Sequence, residues 1–124
     1  MIGVLKKILV VDDSKSIRRM ACFCLRDAGY QVTEAVDGVD AMNISQAQHF
    51  DLVLTDQNMP RMEGLVLIRH LRDQPAYQNT PILILTNESS DEMKAKGRAV
   101  KATGWLVKPF NPEQLLAVVK KIFS

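Results

Sequence analysis

Four short apolar runs, each ending in polar residues, punctuate the chain. Ile8-Leu9-Val10-Val11 leads into Asp12-Asp13, and Leu52-Val53-Leu54 leads into Thr55-Asp56. Ile82-Leu83-Ile84-Leu85 ends in Thr86, and Trp105-Leu106-Val107 ends in Lys108. Such runs predict strands buried on both faces, the kind that build parallel sheets. A fifth stretch, Gln31-Val32-Thr33-Glu34-Ala35, alternates like a half-exposed edge strand.

Helical periodicity fills the intervals. After Ser14, a candidate cap, apolar residues recur at Ile17, Met20, Ala21, Cys24, Leu25 and Ala28, and Gly29 closes the pattern. Asp37-Gly38 opens a second helix through about Gln48, with an untidy stripe of Val39, Ala41, Met42, Ile44 and Ala47. A third follows the loop Asp56 to Gly64, turns Leu67, Ile68 and Leu71 inward, and stops at Pro75. The fourth is capped at Ser89, Ser90 or Asp91 and runs to about Ala102. Gly97 inside it costs roughly 1 kcal/mol relative to Ala, so it should be the softest helix. Asn111 caps the last helix, with Pro112 in its first turn and Leu115, Val118, Val119 and Ile122 on its inner face.

Strand and helix alternate five times, which predicts an α/β fold: a doubly wound parallel sheet with helices on both faces. The 124 residues suit one compact domain, without internal repeat or linker. Ligands of such sheets bind beyond the carboxyl ends of the strands. If the strands are parallel neighbours, Asp12, Asp13, Asp56, Thr86 and Lys108 therefore converge on one edge.

Composition narrows the class. With 47% hydrophobic and 24% charged residues the chain can build a core rather than stay disordered. A net charge of +2 and the lack of a recognition motif argue against nucleic acid as a partner. No apolar run approaches bilayer length and Met1 to Lys7 lacks a signal-peptide core, so a soluble cytoplasmic protein without membrane contact is expected. Cys22 and Cys24 would point roughly 200° apart on one helix, which suits packing better than a disulfide or a metal clip. His49 and His70 read as surface residues, and Met59 and Met62 as filling beside the edge.

Three clustered carboxylates need relief. Two unit charges at 4 Å repel by roughly 4 kcal/mol at an effective dielectric near 20. Hard oxygen ligands with room for a phosphate substrate suit Mg²⁺. One aspartate capping the first helix would explain Asp12 or Asp13, but not both together with Asp56. With Lys108 as a fixed positive charge and Thr86 as a hydroxyl, an aspartate here can attack phosphorus and form an acyl phosphate. A haloacid-dehalogenase-type phosphatase would need D-x-D after the first strand, and Asp12-Asp13-Ser14 is not that. A flavodoxin-type cofactor site would need a Ser/Thr/Gly phosphate loop in the same place.

The set Asp12-Asp13, Asp56 followed by Asn58-Met59-Pro60 and Gly64, Thr86, and Lys108-Pro109-Phe110 resembles the receiver domain of two-component response regulators. The match runs through the whole chain and is greatest to the stand-alone chemotaxis type (CheY-like). It implies a flavodoxin-like (βα)5 sheet in strand order 2-1-3-4-5, of which chemotaxis receivers are a known instance. It implies one receiver domain over residues 1–124 with no output domain, acting as a cytoplasmic monomer.

The resemblance also assigns roles. Asp56 would accept a phosphoryl group from a sensor histidine kinase, and Mg²⁺ would be held by Asp13, Asp56 and the Asn58 backbone carbonyl, with Asp12 acting through water. Thr86 and Lys108 would grip the phosphoryl group, and the Lys108-Pro109 peptide would be cis. Thr86 and Trp105 would form the switch, read out on the fourth helix, fifth strand and fifth helix. The chain would assist its own phosphorylation and dephosphorylation without being an enzyme proper. Partners would be the kinase, the flagellar motor switch and a phosphatase. A phosphate sink or an adaptor for a non-motor target is the alternative, and a small Mg²⁺-dependent phosphatase a remoter one.

Some positions depart from the family or tune it. Trp105 stands where Tyr or Phe is usual, and its bulk would hinder inward rotation; it can equally be read as a large residue covering the sheet edge. Asn87 replaces a small residue and could narrow access to Asp56, while Gln57 could touch the site or face solvent. Asn58 and Glu88, two residues after Asp56 and Thr86, match the fast-turnover chemotaxis type. Lys94, Lys96, Arg98 and Lys101, with Lys120-Lys121, would suit an acidic partner peptide.

Overall fold

The computed structural model describes residues 5–124. Five strands, β1 (Lys7–Val11), β2 (Gln31–Ala35), β3 (Leu52–Asp56), β4 (Ile82–Thr86) and β5 (Gly104–Val107), alternate with five helices. These are α1 (Lys15–Asp27), α2 (Gly38–Ala47), α3 (Gly64–Arg72), α4 (Asp91–Ala99) and α5 (Pro112–Phe123), with a 3-10 turn at Pro75–Tyr77 before β4. The strands form one parallel sheet in the order β2-β1-β3-β4-β5. This is the doubly wound flavodoxin-like fold expected from the alternation and the resemblance.

Side-chain alternation along each strand splits the core in two. Ile8, Val10, Leu52, Leu54, Leu83 and Leu85 face α1 and α5, where they meet Ala21, Cys22, Cys24, Leu25, Leu115 and Val119. Leu9, Val11, Val53, Ile82 and Ile84 face the other way, against Ala41, Leu67, Ile68, Leu71 and Tyr77. The central strands are buried throughout, as their unbroken apolar runs require. The Tyr77 hydroxyl donates to the carbonyls of Ser45 (3.0 Å) and Gln48 (3.1 Å), tying the 3-10 turn to the end of α2.

Four readings of the pattern need correction. The Trp105-Leu106-Val107 run is not buried on both faces: β5 is an edge strand that pairs with β4 alone, and Val107 is 37% exposed. α4 stops at Ala99 rather than near Ala102. Lys101 takes the left-handed conformation (φ 64°), and Lys101 N–H donates to the Arg98 carbonyl and Ala102 N–H to that of Gly97. These reversed bonds are the Schellman signature that ends a helix; the same pattern closes α1 at Gly29 (φ 100°). Ala28 is therefore exposed beyond α1, with Cys22 taking an inward place instead. Ala47 is exposed too, because Ser45 occupies the inner face of α2.

Gly97 is the sole buried residue of α4. A methyl group there would lie 3.5 Å from Ile84 Cδ1 and 3.9 Å from Trp105 Cε3, ordinary contact distances, so this thinly anchored helix packs against the sheet here with room for a Cβ. Both cysteines are free and buried. Among the described residues no helix is long and apolar enough to cross a membrane.

Candidate functional site at the carboxyl edge of the sheet

Parallel register brings the strand ends level. Val11 pairs with Thr55, Asp56 with Leu85, and Thr86 with Val107, so the residues that follow these positions share one rim. The Asp12 N–H continues the ladder to the Ala35 carbonyl, and Asp12 is fully buried. Its Oδ1 accepts from the Ser14 N–H (2.9 Å) and its Oδ2 from the Lys108 ammonium (3.1 Å). Ser14, not an aspartate, caps α1 with its side chain. Asp13 is exposed at the mouth, while Asp56 is buried with only 6% of its surface accessible.

Lys108 Nζ donates to Asp56 Oδ1 at 3.0 Å as well, so one ammonium bridges two buried carboxylates. Burial alone would pull the Lys108 ammonium down, but hydrogen bonds to Asp56 and Asp12 and the attraction of their charges outweigh it and raise its pKa. The Asp13 carboxyl is pushed above its ordinary range by partial desolvation, then by its hydrogen bond with Asp56 and the repulsion between them. One oxygen from each of Asp12, Asp13 and Asp56 lies within 4.8 Å of the others. A group of hard oxygen donors this tight, relieved by a single ammonium, fits a small hard cation such as Mg²⁺.

Thr86 is buried, and its Oγ1 accepts from the Glu88 N–H at 3.0 Å. The Lys108 N–H donates to the Thr86 carbonyl at 2.7 Å, joining the strand ends that carry the hydroxyl and the ammonium. The Lys108-Pro109 peptide is cis. Asn58 and Glu88 are exposed and border a cleft of about 400 Å³ with Glu63, Glu92 and Lys96. Asn87 lies in a different place, exposed beside Lys108 in an apolar groove of about 270 Å³ with Ile17, Met20 and Phe110. Trp105 is half-buried on the Ile84 side of the sheet, and the Lys94 ammonium sits 5.5 Å above its ring.

The loop joining β3 to α3 holds features that sequence reasoning missed. Gln57 lines the same cleft as Asn58 and Glu88 but makes no hydrogen bond to the carboxylates. It is buried, and its Oε1 accepts from the Leu65 N–H (2.9 Å) at the start of α3, where Glu63 makes no side-chain cap. Gly64, already part of the sequence motif, is required because any Cβ there would overlap the Asp56 carbonyl oxygen. Arg61, with φ 66°, donates from Nε (2.6 Å) and Nη2 (2.9 Å) to the two oxygens of Asp37. No local spacing announces a pair 24 residues apart.

Residues 8–120 match the response regulator receiver domain family. The chain belongs to that family. It is a receiver similar to CheY-3 of Vibrio cholerae (37% identical over 119 residues, covering 95% of this chain and 92% of that protein). Protein PilG of Pseudomonas aeruginosa is 37% identical over 114 residues, 92% of this chain and 84% of its own. The solved chemotaxis response regulator CheY4 of Vibrio cholerae superposes with a TM-score of 0.93 at 50% identity, covering 96% of this receiver and 99% of that chain. Receivers of this type are signalling proteins rather than enzymes proper.

Proposed function

We propose that this receiver is a Mg²⁺-dependent phosphoacceptor: Asp56 takes a phosphoryl group from a phosphohistidine of a sensor kinase, and α4, β5 and α5 pass the signal on. The observation that carries this is the Lys108 ammonium held by Asp56 and Asp12 beside a third carboxylate. That arrangement pairs a nucleophile with the charge its product needs.

An Asp56 carboxylate oxygen attacks phosphorus, a P–O bond forms, and the P–N bond breaks with its electron pair going to the imidazole, which leaves neutral. Lys108 neutralises charge on the transferring oxygens, following them from the carboxylates it now holds. The Thr86 hydroxyl accepts from Glu88, and among the described residues no acceptor takes its proton, which leaves it free for a phosphoryl oxygen. Asp13, Asp56, the Asn58 carbonyl and, through water, Asp12 would hold Mg²⁺. When bound, the ion supplies further charge neutralisation on the phosphoryl oxygens. Water later attacks phosphorus, the bond from phosphorus to the Asp56 oxygen breaks, and inorganic phosphate leaves the carboxylate regenerated; Asn58 and Glu88 border the cleft beside the site and tune that rate.

The names of the CheY relatives favour chemotaxis. Within that reading the target is the flagellar motor switch and the working form a monomer in the cytoplasm. Lys94, Lys96, Arg98, Lys120 and Lys121, beside Trp105 and the exposed Val107, offer a cationic surface for an acidic peptide. The test is incubation with Mg²⁺ and acetyl phosphate, read as a gain of one phosphoryl group by mass spectrometry, followed by capture on an acidic motor-switch peptide. The expected result is phosphorylation of wild type, none of Asp56→Asn, and stronger capture of the phosphorylated form. Phosphorylation without capture would redirect the output to a sink or adaptor role. No aspartyl phosphate on wild type would defeat the reading.

A further inference from the structure

The loop of residues 57–64 is fastened at two points, and only one lies at its base. There, the Gln57 carbonyl accepts from the Gly64 N–H (3.0 Å) and the Gln57 side chain from Leu65. At the tip, the Met62 N–H returns to the Pro60 carbonyl at 2.7 Å around Arg61, whose φ is 66°. A turn bonded from i to i+2 about a left-handed residue is rare and strained, and suits Gly or Asn far better than Arg. An arginine at this position implies a task for its side chain.

That side chain grips Asp37 with both prongs of its fork, at 2.6 and 2.9 Å. Asp37 is 5% exposed and also accepts from the Asp40 N–H (2.9 Å), so the carboxylate that holds Arg61 is itself fixed as the cap of α2. The loop lies directly on that helix: a Cβ on Gly38 would fall 2.6 Å from Met62 Cβ. Asn58 stands between the two fastenings.

We propose that Arg61 is a positioning residue for the metal, its bidentate grip on Asp37 fixing the loop and with it the Asn58 carbonyl, the ligand assigned above alongside the carboxylates. This rests on the Mg²⁺ reading above and extends it to a partner outside the ligand set. A fork can define a position in a way that a lysine point charge cannot.

The test titrates Mg²⁺ by calorimetry into wild type, Arg61→Gly, Asp37→Asn and the double variant, with thermal unfolding in EDTA alongside. Glycine suits the backbone at 61 and asparagine keeps the cap at 37, so neither variant strains the fold in removing the grip. Because glycine also loosens the loop, Asp37→Asn decides. Each single change should weaken Mg²⁺ binding about tenfold, the lower end of the range for groups that orient metal ligands, and the double variant should be no worse than either. Lower melting temperatures with wild-type Mg²⁺ affinity would overturn the inference and leave a structural fastening. Losses that add would overturn it too, since the two residues would then act separately. A wild type that binds no Mg²⁺ would bring down the metal reading beneath it, and is a distinct result.

Discussion

Lys108 compensates Asp12 and Asp56 with one ammonium, and on the phosphoacceptor reading proposed above it would also meet the incoming phosphoryl oxygens. The two roles separate on mutation. Lys108→Ala should slow phosphorylation by acetyl phosphate on the order of 10²–10³-fold, the usual loss when one preorganised charge donor is removed. Mg²⁺ affinity should not fall, because the carboxylates lose a competing cation. Time courses by mass spectrometry and calorimetry on the same samples check both halves, and equal losses in both would mean a collapsed site. Elsewhere, a residue that looks reactive is silenced by burial. Cys22 is 1% exposed, and desolvation pushes its thiol up to about 11. Iodoacetamide at a pH near 8 should leave native Cys22 unmodified and label it once guanidinium unfolds the chain, as peptide mapping would reveal.

At the level of elements, α4 is held by little besides a glycine, and that glycine is replaceable. A methyl at position 97 would make ordinary contact with Ile84 at 3.5 Å, and Gly97 does not have the left-handed backbone seen at Gly29. Gly97→Ala should therefore raise stability by up to about 1 kcal/mol through helix propensity alone. Urea unfolding measures this, and a lower midpoint would mean that the contact is a clash. The junction of α2 with the β3–α3 loop adds a pH signature. Arg61 foremost, and the cap to Asp40, hold the Asp37 carboxyl below its ordinary value. The folded pKa then lies under the unfolded one of about 3.9, so the stabilisation is complete above that pH and fades as pH falls through the folded value. The gap in urea midpoint between wild type and Asp37→Asn should be open at neutral pH and close in acid; a gap independent of pH would exclude the charge as its source. These contacts also mark the limit of legibility. Buried strands and the aspartates after them could be read from apolar runs, because a strand covered on both faces has no polar alternation to hide it. Strand order was carried by family resemblance, since periodicity says nothing of neighbours, and the apolar run of β5 predicted a burial on both faces that its edge position does not provide. Gln57 under α3, Arg61 on Asp37 and Tyr77 on the end of α2 join residues 8, 24 and 29–32 positions apart, and their side chains find partners only after the fold forms.

Across the whole molecule, the end of β4 and its pairing with β5 link the rim that carries Asp56 to Trp105. Thr86 closes β4 and pairs with Val107; Ile84, two residues back, pairs with Trp105; and the Lys108 N–H hangs on the Thr86 carbonyl. A hydroxyl drawn toward a phosphorylated Asp56 would thus displace the end of β4 beside the half-buried indole, whose outer side is held by Lys94. Packed elements respond to such shifts by changing between discrete arrangements, so the indole should report two states. Trp105 is the sole tryptophan of the chain, which makes its emission a clean probe. Mg²⁺ with acetyl phosphate should change that emission in wild type and leave it unchanged in Asp56→Asn. Thr86→Ala decides the route: its Asp56 should still gain a phosphoryl group by mass spectrometry, while Trp105 stays silent. A Thr86→Ala receiver that is phosphorylated and still shifts its emission would show that the signal leaves Asp56 by another path. Coupling of binding equilibria is reciprocal, so an acidic peptide that prefers the phosphorylated form must in turn favour phosphorylation of wild type and do nothing for Thr86→Ala. That second measurement needs no fluorescence, and agreement between the two would locate the switch at the end of β4 rather than in the loop after β3.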